Sequence, residues 1–219
     1  MAWGRERFDA AQAVAKAHQS KQLHVLPSVA WDDQQKRQLV SQLRKHPRAV
    51  DVVALSGHTL PDDAARQLGA LLADPHSSLR ELKLGDAHFG VAGVAALADG
   101  VHDAADAQPA AASALEMLEL DYKALDVAAA RHIGRLVLRL PRLTRLALSR
   151  NPLSDEGVEL LLSALGGAPA PRLLALELSE AALTAAAVDL LAREVIEGGA
   201  LASLERLHLS RNDLGDMAG

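Results

Sequence analysis

The sequence predicts an α/β solenoid of stacked strand–turn–helix units, and three observations carry that prediction. The first is composition. Of 219 residues, 43 are Ala and 40 are Leu, while only Trp3, Phe8, Trp31, Phe89 and Tyr122 are aromatic. A core of Leu and Ala with so few rings suits thin, repeated layers better than one large globular interior. The second is a recurring frame. Apolar residues stand at offsets 0, 3, 5 and 10 of copies that start at 50, 79, 115, 143, 173 and 204. The third is a change of period inside each copy, from alternation at offsets 3 and 5 to a four-residue step at offsets 14, 18 and 22. Alternation fits a short strand and the four-residue step fits one face of a helix.

Each element follows from that frame. The strand positions read Val53/Leu55, Leu82/Leu84, Leu118/Leu120, Leu146/Leu148, Leu176/Leu178 and Leu207/Leu209. The helix positions read Leu68/Leu72, Leu97/Val101, Ile133/Val137, Leu161/Leu165 and Leu191/Val195. Offset 14 is always small (Ala64, Gly93, Ala129, Gly157, Ala187 and Ala218), which lets helix and strand approach. Asp126, Ser154 and Thr184 stand between strand and helix, where an N-cap accepts from free backbone N–H groups. Such a unit cannot bury its apolar face alone, so neighbours must stack.

The copy LTRLALSRNPLSDEGVELLLSAL at 143 resembles a leucine-rich repeat, and the unit length resembles the ribonuclease-inhibitor-like class. The resemblance covers 50–219. It implies parallel strands on the concave side of a curved solenoid and helices on the convex side. It also implies Asn at offset 8, bonded to the loop backbone. Here that position reads His58, Ala87, Lys123, Asn151, Ala181 and Asn212, so only two copies keep it.

Upstream, residues 21–49 read as a degenerate capping repeat. Leu26, Trp31, Leu39 and Leu43 fall at offsets 5, 10, 18 and 22 of a frame begun at Lys21, with Lys21 and Gln35 interrupting it. Asp32 to Lys45 reads as its helix. Residues 1–20 form an N-terminal unit with an Ala-rich helix over 5–19. His102 to Ser113 reads as an inserted solvated loop. The sixth copy is incomplete at Gly219, so the expectation is that further chain or another subunit covers that end.

Several function classes drop out. Without cysteine there is no disulfide scaffold or thiolate metal site. A net charge of −5 and the scarcity of rings disfavour general nucleic-acid binding. No run of 18 uncharged apolar residues spans a membrane. The motifs GxSxG, HExxH and GxGxxG are absent, and the glycines of Gly85 to Gly90 are followed by Val91-Ala92 where a phosphate loop needs Lys and Ser or Thr. None of the nine His residues is paired at i,i+4. The expectation is no catalytic, cofactor-binding or metal site. The N-terminus lacks an apolar secretory core, and its weak likeness to a mitochondrial transit peptide is opposed by Glu6 and Asp9. A cytoplasmic place, cytoskeletal or ciliary, is expected, with mitochondrial import as the alternative.

The expected site is the concave face, where offsets 2, 4, 6 and 7 project between the core leucines. The candidates are Glu81, Lys83, Met117, Glu119, Asp121, Tyr122, Arg145, Arg150, Glu177, Glu180, Arg206, His208 and Arg211. Charge alternates between acidic and basic copies, a pattern that a protein partner would match. Tyr122 and Met117 are the expected hot spot. A basic patch of Arg131, Arg135, Arg139 and Arg142 is the alternative surface. The function expected is a non-catalytic protein-binding scaffold within a larger assembly, of cytoskeletal or axonemal type. The alternatives are a small-GTPase regulator, since Ran GTPase-activating proteins share the repeat class, and an RNA-contacting subunit.

Overall fold

A computed structural model describes residues 8–55, 57–107, 113–166, 171–197, 199 and 201–215. Strands and helices alternate in chain order: α1 (Ala10–Ser20), β1 (Gln22–His24), α2 (Asp33–Lys45), β2 (Val52–Ala54), α3 (Asp62–Leu72), β3 (Glu81–Lys83), α4 (Gly90–Ala107), β4 (Met117–Glu119), α5 (Val127–Leu138), β5 (Arg145–Ala147), α6 (Ser154–Leu165), β6 (Ala175–Glu177), α7 (Ala185–Ile196) and β7 (Arg206–His208). The strands form one open parallel sheet in the order β1 to β7. Its register sets Val53, Leu82, Leu118, Leu146, Leu176 and Leu207 side by side. These are the offset-3 residues of the six copies. The fold is therefore an α/β leucine-rich-repeat solenoid.

The core lies between sheet and helices. Offsets 0, 3, 5 and 10 of the first five copies are buried throughout, whereas Leu204, Leu207, Leu209 and Leu214 of the sixth are only partly covered. Asp126 caps α5 by accepting from Ala128 N and Ala129 N, and Thr184 caps α7 by accepting from Ala186 N. Ser154 does not cap α6. Its backbone takes a left-handed φ of 58°, and its N–H donates to Ala181 O of the next copy.

Three boundaries differ from the sequence reading. The N-terminal helix was expected over 5–19, but Asp9 caps α1 by accepting from Gln12 N, so the helix begins at Ala10 and Phe8 stands outside it. A frame begun at Lys21 puts His24 at offset 3, but it is Leu23 that pairs with Val53, so the first strand frame begins at Ser20. Val25 then enters the core and Leu26 is left 63% exposed. One extra residue in the following turn restores phase, and Leu39 and Leu43 are buried as expected. Gln35, which breaks the apolar frame, closes a capping box with Asp32 and donates Nε2–H to Phe8 O. The insertion after Val101 is not a loop throughout, because α4 runs on to Ala107. Residues 108–112 of it, 5–7 of the N-terminal helix expectation, and Ala218 of the offset-14 set lie outside the described residues.

The copies also alternate in backbone and in helix packing. Those at 79, 143 and 204 carry a left-handed residue at offset 11 (Gly90, Ser154, Gly215), while those at 115 and 173 carry it at offset 9 (Ala124, Ala182). Helices approach most closely in pairs. A Cβ on Gly69 would overlap the Leu97 carbonyl, and one on Gly100 would overlap the Arg66 carbonyl, so α3 and α4 touch through backbone. A Cβ on Gly134 would overlap that of Ala164, bringing α5 against α6 in the same manner. In the second pair, offset 19 of one copy meets offset 21 of the next; in the first, Gly69 at offset 19 faces the backbone of Leu97 and Val101, and Gly100 at offset 21 faces that of Arg66. Between α6 and α7 these offsets hold Leu162 and Glu194, and a cavity of about 250 Å³ opens there, with both residues in its lining.

Candidate strand-face interaction surface

The sheet presents rows of side chains. Offset 2 runs Gln22, Val52, Glu81, Met117, Arg145, Ala175, Arg206, and offset 4 runs His24, Ala54, Lys83, Glu119, Ala147, Glu177, His208. At offset 7, Gly57, Tyr122, Arg150, Glu180 and Arg211 all adopt positive φ, which turns the chain away from the sheet. For a residue with a Cβ this conformation costs about 1–2 kcal/mol, so the loops hold it through other bonds. The N–H groups of Tyr122, Arg150 and Glu180 donate to the carbonyls of Ser149, Ser179 and Ser210 in the following copy.

The alternating charges pair with one another along these rows. Arg145 lies 2.6 Å from Glu177, and Lys83 lies 3.8 Å from Glu119. Arg150 and Arg211 flank Glu180 at 3.5 and 2.8 Å. The Arg211 hydrogen bond holds the Glu180 carboxyl below its ordinary value. The acid–base alternation is thus satisfied within the sheet, each pair joining neighbouring copies. Exposed pairs of this kind contribute little to stability, because water screens them. Glu81, Arg206 and His208 make no ion pair among the described residues.

The expected hot spot divides. Tyr122 is 61% exposed, but Met117 is buried at 8%. Met117 stands in register between Glu81 and Arg145, with small Ala147 and Ala175 on the neighbouring rungs, so it belongs to the floor of the sheet. Beside Tyr122, Asp121 accepts from Ser149 N. Burial, together with Glu119 and Glu177, raises the Asp121 carboxyl above its ordinary range. Lys123 is buried, its Nζ donating to Asp121 O, and desolvation lowers its ammonium. It occupies offset 8 of its copy.

Asn151 and Asn212 do hold loops. Asn151 Oδ1 accepts from Lys123 N and Leu125 N, while Nδ2 donates to Leu120 O and Leu148 O. Asn212 repeats the arrangement with Ala181 N, Leu183 N, Leu178 O and Leu209 O. Each ties its own copy to the one before it. His58 does comparable work with an imidazole: Nδ1 accepts from Trp31 Nε1 and Nε2 donates to Leu26 O, both at 2.8 Å. Phe8 packs edge-on against Trp31, which ties α1 into the same cluster. The His58 role was not readable in advance, because its partners lie in the out-of-phase first turn.

On the helix side the arginine patch is half neutralised. Arg135 pairs with Asp99 and Arg139 with Asp106, at 3.5 and 3.0 Å, and Arg66 pairs with Asp103. The acids come from α4, a full copy away in sequence, so a search among near neighbours could not find them. Arg131 and Arg142 make no ion pair among the described residues. Among those residues no group of three or more His, Asp or Glu could hold a metal ion. No helix there is long and apolar enough to cross a membrane.

A leucine-rich-repeat family model matches residues 76–98, 140–162 and 200–217. The matched stretches contain β3, β5 and β7, the strands of the three copies with the offset-11 turn. No curated protein matches the chain. Leucine-rich-repeat domains in general mediate protein–protein interaction.

Proposed function

We propose that this chain is a non-catalytic protein-binding scaffold of the ribonuclease-inhibitor-like class, working through its strand face as a subunit of a larger cytoplasmic assembly. Tyr122 carries the reading. It is a large, exposed aromatic on a face whose alternating charges are largely paired with one another. Tyr is among the residue types that dominate binding energy at interfaces, and here its backbone is fixed by the bond to Ser149 O. Glu81, Glu119 and Asp121 supply the acidic surroundings, and Arg206 and His208 give the opposite end of the face a basic character. Pairing of Arg135 and Arg139 with α4 favours this surface over the arginine patch, and with it a protein partner over RNA.

The test is affinity capture with the whole chain and a matched pair of variants. Tyr122→Ala with Glu119→Arg is expected to lose the captured partner while leaving the circular dichroism spectrum unchanged. Arg131→Glu with Arg142→Glu is expected to retain it. If the second variant loses the partner and the first keeps it, the helix side is the binding surface.

A further inference from the structure

Tyr122 is matched on the strand face by a second large, exposed hydrophobic side chain, Leu26. Exposure and burial alternate from Gln22 to Leu26, so Leu26 stands on the same open face as Gln22 and His24. The strand order puts three strand spacings between Leu26, after β1, and Tyr122, after β4, a span of about 14 Å. The ground between them is low. Ala54 separates His24 from Lys83 in the register, and Gly85 follows β3. A Cβ on Gly85 would overlap the His58 carbonyl, so that position stays bare.

The same ground is acidic. Asp86, Glu119 and Asp121 all act on the Lys123 ammonium, so three carboxylates share one buried cation whose Nζ is turned to Asp121 O. Lys83, at 3.8 Å, pairs with Glu119. Asp86 accepts from the Thr59 hydroxyl and lies 3.4 Å from His88, and Asp121 accepts from Ser149 N. Negative charge is thus in excess between Leu26 and Tyr122. Burial, followed by Glu119 and Glu177, raises the Asp121 carboxyl, and a cation brought from outside relieves that crowding of like charge.

We infer that the strand face takes an extended segment of a partner protein in which a Lys or Arg stands midway between two apolar residues, the apolar pair seated on Leu26 and Tyr122 and the cation set against Asp86 and Asp121. This rests on the reading of the chain as a scaffold that binds through its strand face, and it names the chemistry of what is bound. The spacing selects the extended form. At about 3.4 Å per residue, residues i and i+4 span about 14 Å and share a side with i+2. A helix sets same-face residues about 10 Å apart at i+7 or about 16 Å at i+11, and matches neither end. Apolar ends supply contact area, and the central cation supplies the charge match that excludes acidic segments.

The test pans a random dodecapeptide phage library on the whole chain and titrates a fluorescein-labelled copy of the enriched sequence by anisotropy. That sequence is expected to carry apolar residues four apart with Lys or Arg midway. Its affinity should fall about tenfold with Leu26→Ser and with Asp121→Asn, and the Asp121→Asn loss should disappear once the central cation of the peptide is replaced by Ala. Arg131→Glu with Arg142→Glu should change nothing. No enriched sequence, an enriched sequence without the central cation, or undiminished binding to Leu26→Ser or Asp121→Asn overturns the inference. A captured partner lost with Tyr122→Ala and Glu119→Arg but held at full affinity by Leu26→Ser also overturns it, while leaving the strand-face reading intact.

Discussion

Asn151 is wholly enclosed and bonds to five backbone groups of two copies. Asn151→Ala leaves several of them without partners, at about 1–3 kcal/mol for each group left buried and unbonded. A loss of about 3 kcal/mol is expected in urea unfolding, and a smaller one, about 1 kcal/mol, for the half-buried Asn212→Ala. Lys123 is the opposite case. Its ammonium is lowered from 10.5 by burial, so the folded state binds that proton less tightly than the unfolded chain. The charge therefore costs stability at neutral pH, and the cost fades as pH rises through the folded value towards 10.5. Lys123→Met is expected to raise the urea midpoint at pH 7, with a gain that shrinks as pH approaches 10.5. Asp121 has the mirrored sign, since its raised carboxyl binds the proton more tightly when folded. Asp121→Asn, which keeps an acceptor for Ser149 N, is expected to match or exceed the parent at pH 7. Its advantage should vanish as the pH falls and the parent Asp121 becomes protonated.

Between elements, glycines decide how closely helices approach. Gly69→Ala and Gly100→Ala each press a methyl group into a carbonyl oxygen across the α3–α4 contact. Each is expected to lose about 2 kcal/mol or more by thermal or urea unfolding, in the range of overpacked cores. Gly166→Ala, where a Cβ would find its nearest neighbour at 3.5 Å, should be neutral or slightly stabilising. Strands and helices were legible in the amino-acid sequence, because they recur in every copy; at offset 14, a Cβ on Gly93 or Gly157 would meet the offset-10 side chains of Phe89 and Leu153 rather than a strand. The offset-19 and offset-21 contacts were not, because they recur in every second copy and disappear when all six are read in one frame. The first strand was missed by one residue for a related reason: a single insertion in its turn keeps Leu39 and Leu43 in phase while moving Leu26 to the surface.

Along the full solenoid, ion pairs join residues one copy apart, from Arg37–Asp63 through Arg66–Asp103 and Arg135–Asp99 to Arg145–Glu177 and Arg211–Glu180. Charges legible as a surface pattern are largely mortar between copies, which the linear sequence conceals because partners stand 26 to 37 residues apart. This pairing lowers the contrast of the strand face and leaves Tyr122 as its most distinct feature. The candidate surface was therefore legible as a set of positions, but not as to which of them are available. Hydrogen–deuterium exchange of the whole chain, free and bound to its captured partner, decides between strand face and helix side. Binding through the strand face slows exchange in β3 to β6 and the loops that follow them, centred on residues 119–124, with α5 unchanged. Protection confined to α5 and the Arg131–Arg142 segment, with the strands unaltered, is incompatible with it.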